Sequence, residues 1–125
     1  MRNPAWNETE QKQVIELYMA MLTQVKNGRK YSKASMIRET QSLGLARSKG
    51  SIESKLMNLS AIACAANRPD LSMAQHGYKA LTNYQSSAAG AFLTYVREME
   101  NQRASRRACD YNASFIAAEL YKEAI

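Results

Sequence analysis

The sequence predicts an all-α protein, a compact bundle of about five helices with a helix-turn-helix-like N-terminal half. Three observations predict it. Only two Pro and five Gly occur in 125 residues, while Ala, Leu, Met, Gln, Glu and Lys, all good helix formers, are common. Apolar residues recur at helical spacing over long stretches. No alternating run is long enough for a strand, and no internal repeat or low-complexity tract appears. The length suits one helical domain over residues 1–125, read as a tri-helical part (3–66), a loop (67–82) and a C-terminal helical hairpin (83–125).

Asn7 and Glu10 form a capping-box pattern, with Trp6 before it placed to fold back onto the first turn. Val14, Leu17, Tyr18, Met21, Leu22 and Val25 then make one apolar stripe, and Asn27-Gly28 stops the helix. Ser32 caps a short second helix with Met36, Ile37, Thr40 and Leu43 inward, ended by Gly44. Ser48 or Ser51 caps a third, whose stripe is Ile52, Leu56, Leu59 and Ala63 and which breaks at Pro69. On that stripe Lys49, Glu53 and Asn58 fall off the buried face, with Ser51, Ser54 and Lys55 flanking it. The segment 73–85 has no period and reads as a loop with a turn at His76-Gly77. A fourth helix over 83–103 carries Tyr84, Ala88, Phe92, Tyr95, Val96 and Met99, "RASRR" is a bend or an exposed helical turn, and a last helix over 108–124 carries Tyr111, Phe115, Ala118 and Leu120.

Charge is concentrated. Lys26, Arg29, Lys30, Lys33, Arg38, Arg47, Lys49 and Lys55 face only Glu39 and Glu53 within 26–55, a surplus equal to the whole net charge of +6. Arg103, Arg106 and Arg107 form a smaller cluster, offset by Glu98, Glu100 and Asp110. Localised positive charge points to an anionic partner, nucleic acid first. Tyr31 and Tyr78, beside Lys30 and Lys79 in basic loops, are the aromatics to weigh for partner contact against simple anchoring of the loop.

Enzyme constellations are not evident. The one histidine, His76, has no serine or cysteine in a nucleophile setting, and neither a phosphate loop nor a dinucleotide fingerprint occurs. Cys64 and Cys109 lie far apart and cannot build a four-ligand zinc site with one histidine, so no metal or other cofactor is expected. "MRNPAWNETEQKQ" lacks the apolar core of a signal peptide and no apolar run approaches membrane-spanning length, so a cytoplasmic protein with reduced thiols and no membrane partner is expected.

Helix 2, a short turn at Gly44 and helix 3 follow the order of a helix-turn-helix, in which the start of the later helix meets the DNA groove. A helix N-terminus presents unpaired N–H groups and positive dipole. The candidate contacts are Arg47, Ser48, Lys49, Ser51, Ser54 and Lys55 on helix 3, with Lys30, Lys33 and Lys79 adding electrostatic hold. A plain cap surrounded by solvating lysines explains the same residues, and the two roles coexist.

The blocks "NPAWNETEQKQVIELY" and "RSKGSIESKLMNLSA" resemble the tri-helical Myb/SANT-like pattern, and more closely a helical module at the N-terminus of bacterial HNH and other restriction-type endonuclease proteins. The likeness runs over residues 3–96, through Trp6, Glu10, Tyr18, Lys33, Arg47, Ser48, Gly50, Ser51, Ile52, Glu53, Lys55, Asn58, Ser60, Ala61, Gly77, Tyr78, Lys79, Asn83, Tyr84 and Gln85. It departs at "GYKALTNYQ", which lacks the proline expected after "GYK". The resemblance implies a DNA-associated targeting or accessory role and transfers no catalysis, because no nuclease domain follows. DNA, duplex above all, is thus the expected partner, and binding the expected function. The rival expectation is a phage- or mobile-element-type adaptor or inhibitor acting on a defence or nucleic-acid-processing protein. A homodimer through helices 4 and 5 would suit paired half-sites.

Overall fold

In the computed structural model the backbone is described for residues 5–124 and the side chains for residues 5–106. The regular elements there are all helical: α1 Glu8–Lys26, α2 Lys33–Ser42, α3 Lys49–Ala65, a 3₁₀ turn at Pro69–Leu71 and α4 Ser86–Ala124. The chain divides into two compact units, Met1–Phe92 and Leu93–Ile125, with the boundary inside α4.

Local signals account for the helix starts and stops. The Asn7 side chain accepts the Glu10 N–H at 2.8 Å, and Glu10 Oε1 accepts the Asn7 N–H at 3.1 Å, closing the capping box. At the other end Gly28 takes a left-handed φ of +64°, its N–H donates to the Val25 carbonyl, and the Arg29 N–H donates to the Gln24 carbonyl. This paired pattern satisfies carbonyls that a helix end would leave open. Ser32 caps α2. For α3 the cap is Ser48, whose Oγ accepts the Ser51 N–H at 3.2 Å, so Ser51 is the donor and not the cap.

Each of the first three helices touches the other two, and α3 also meets the 3₁₀ turn. Buried side chains on α3 run beyond the expected Ile52–Leu56–Leu59–Ala63 stripe to Ala61, Ile62, Ser60, Asn58 and Lys55. The helix is enclosed around most of its circumference, which overturns the placement of Asn58 off the buried face and of Lys55 at its flank. Tyr18 of α1 meets Phe92 edge-to-face, with centroids 5.4 Å apart at 78°. Its hydroxyl donates to the Leu71 carbonyl, lies 3.4 Å from Ser60 Oγ and accepts the Met73 N–H at 3.1 Å.

Among the described residues four α-helices form where about five were expected. The C-terminal segment is one continuous α4 and not a hairpin, because no Gly or Pro follows Gly90 and Arg and Ala in "RASRR" favour helix. Tyr84 precedes α4 instead of starting its stripe. Leu43, expected inside, is 74% exposed, while Leu45 is 0% exposed. Gly44, at φ +115°, turns the chain so that the second leucine enters the core. Tyr111, Phe115, Ala118, Leu120 and Cys109 lie outside the residues whose side chains are described.

Candidate nucleic-acid interface

The residues expected at the start of α3 separate into two groups. Ser48, Lys49, Gly50 and Ser54 are exposed, and Ser51 is half-buried. Lys49 Nζ lies 3.9 Å from Glu53 Oε1 one turn along, an exposed pair that leaves the ammonium open to solvent. Space around Gly50 is open. Arg47 and Lys55 turn inward instead. Arg47 grips Glu10 with two charge-assisted bonds, Nε to Oε2 at 2.7 Å and NH2 to Oε1 at 2.8 Å, and NH2 also donates to the Ala5 carbonyl at 3.2 Å. Its side chain is only 7% exposed.

Both cations lie over Trp6, with Arg47 Cζ 4.9 Å and Lys55 Nζ 5.3 Å from the ring centroid. The chain before α1 does fold back, since Gln11 Nε2 donates to the Trp6 carbonyl at 3.3 Å, but the ring serves α3. The Arg47 guanidinium holds the Glu10 carboxyl down at about 2, against an ordinary 4.5. Burial lowers the Lys55 pKa, and the Arg47 charge lowers it further. Arg47 and Lys55 therefore fasten the start of α3 to residues 5–10, and the groups left to meet a partner there are Lys49 and the serines.

A second cationic region forms where α1 ends and α2 begins. Arg29 and Lys30 are exposed on the turn after Gly28, and with Val25, Tyr31, Lys33 and His76 they line an open depression of about 570 Å³. Lys33 reaches across to the later loop. Its Nζ donates to the His76 carbonyl at 2.9 Å and lies 4.7 Å over the Tyr78 ring. Tyr78 is 5% exposed and burial pushes its hydroxyl up to about 12, helped by the nearby charges of Tyr31 and Glu53. Gly77 holds φ +97°, and a Cβ there would collide with Lys33 Nζ. Tyr78 is thus a buried anchor, whereas Tyr31 stays half-exposed.

Lys30 and Lys33 are brought together here, joined by Arg29, which belongs to the basic surplus of 26–55 but not to the expected site. Its signal was its place after a helix-stopping glycine. Lys79 is exposed beside Tyr78. Among the described residues no group of three His, Cys, Asp or Glu comes close enough to hold a metal, and no helix is long and apolar enough to cross a membrane.

No family model, curated protein or solved structure matches this chain.

Proposed function

We propose that this chain is a small, non-catalytic, cytoplasmic nucleic-acid-binding module that holds DNA through the start of α3 and the exposed cations of 26–55. One observation carries the reading: the surplus charge of 26–55 remains largely outside, on exposed Lys26, Arg29, Lys30, Arg38 and Lys49, with exposed Lys79 from the later loop. Exposed cations concentrated on one stretch, with few carboxylates among them, match a phosphate backbone. The mutual packing of α1, α2 and α3 suits the tri-helical pattern that the sequence resembles. Arg47 and Lys55 act in this reading as positioning residues. The contacts fall to Lys49, Ser48, Ser51 and Ser54, with Lys30 and Lys79.

A labelled 20-base-pair duplex titrated at about 50 mM salt tests it: binding tighter than ~10 µM that weakens steeply towards 200 mM is expected. Lys49→Glu should weaken binding and reduce the salt slope by about 0.9, the share of one phosphate contact on duplex DNA. Absence of binding at low salt overturns the reading.

A protein partner is the second reading, favoured by one observation. Leu43, 74% exposed, borders a groove of about 330 Å³ lined by Leu17, Ala20 and Met36, with Glu16 and Glu39 on it. A partner that co-purifies after nuclease treatment and is lost on Leu43→Glu would support this reading over the first.

A further inference from the structure

We infer that the depression between the end of α1, the start of α2 and the His76 loop holds an unpaired nucleotide of a single-stranded segment. Its phosphate would meet Arg29 and Lys30, and its base would lie against Tyr31. This rests on the nucleic-acid reading and sharpens it, since it names a ligand class that a duplex groove contact does not require.

The lining carries three cations, Arg29, Lys30 and Lys33, and no carboxylate. Both chain ends that shape it are held before any ligand arrives: the turn at Gly28 by the bonds to Val25 and Gln24, the start of α2 by the Ser32 cap. The far wall is held by Lys33 on the His76 carbonyl, which leaves that ammonium in the depression with donors to spare. Lys33 covers Tyr78, so Tyr31 is the half-exposed aromatic in the lining. A basic concavity with an aromatic wall is the recurring arrangement for single strands, where cations follow the backbone and rings stack on bases. A duplex keeps the faces of its bases stacked inside and offers a ring only base edges and backbone, with no face to stack on.

Fluorescence anisotropy on a labelled 12-mer of deoxythymidine, the matching ribo-uridine 12-mer and the 20-base-pair duplex tests the inference. Arg29→Gln/Lys30→Gln removes two exposed charges and should weaken single-strand binding roughly tenfold or more, lowering the salt slope by about 1.4 for two contacts on a single strand. Tyr31→Leu, which keeps apolar bulk but cannot stack, should cost about 5- to 150-fold on the single strands, while Tyr31→Phe leaves them unchanged. The two single strands distinguish DNA from RNA. Thermal unfolding of each variant checks its fold, and the charge variant decides the matter if Tyr31→Leu does not fold. Single-strand affinity untouched by the charge variant overturns the inference. Wild type that binds duplex and neither single strand overturns it too, and leaves the module reading standing. Binding to none of the three overturns both.

Discussion

Glu10 does two jobs with one carboxylate: it closes the α1 capping box and takes both bonds from Arg47. Its folded pKa of about 2 lies below its ordinary 4.5, so the stability it contributes is present above pH 4.5 and is lost as pH falls through about 2. Urea midpoints between pH 2 and 6 should therefore fall in that window for wild type. Glu10→Gln should lower the midpoint at pH 7 and flatten the fall. Tyr18 is the other keystone residue, because its buried hydroxyl serves the Leu71 carbonyl and the Met73 N–H at once. Tyr18→Phe takes the hydroxyl donor from the buried Leu71 carbonyl, while the Met73 N–H keeps Ser60 Oγ at 3.3 Å, and should cost about 1–3 kcal/mol by chemical denaturation. Gly77→Ala faces both a left-handed φ and the Lys33 ammonium, and should destabilise by about 1 kcal/mol or more.

At the scale of elements, α3 is the helix that the rest of the first unit encloses. Leu56, 0% exposed at its centre, should cost about 2–5 kcal/mol when cut to Ala. The α2–α3 connection makes a sharper test. Leu45→Ala should cost a similar amount, whereas Leu43→Ser should change stability by no more than about 0.5 kcal/mol. From sequence the two leucines are hard to tell apart, because they flank Gly44 and either completes a helical stripe. The caps at Asn7 and Ser32 were legible and that of α3 was narrowed to Ser48 or Ser51; Asn7, Ser32 and Ser48 each act on a backbone N–H three residues ahead. The continuity of α4 was legible in principle as the lack of Gly and Pro after residue 90, but the charge cluster there resembled a bend.

For the whole molecule, the core side chains of the first unit run from Val14 to Phe92, which predicts that a fragment ending at Glu100 still unfolds cooperatively in urea. Charge belongs to this scale as well. Net charge alone predicts attraction to a polyanion, and the fold sorts the cations into those that fasten the structure and those that meet solvent. Arg47 and Lys55 went to the first kind, although the pattern "RSKGSIESK" places them beside Lys49 as equals. Of the candidate site, Ser48, Lys49, Ser54, Lys30 and Lys79 are exposed, and Lys33 is shared between a loop bond and the depression.

What the sequence by itself determined is the helical class, the three capped helices of the N-terminal part and the place of the charge. Those follow from interactions between residues three or four apart, or from plain counting. Only the tertiary structure decided which cations turn inward, which leucine is buried and which tyrosine is left half-exposed. The deciding contacts join residues far apart in the chain: Arg47 to Glu10 across 37 positions, Lys33 to His76 across 43 and Tyr18 to Leu71 across 53. No local spacing encodes such pairs, because they exist only once packing brings the helices and the later loop together.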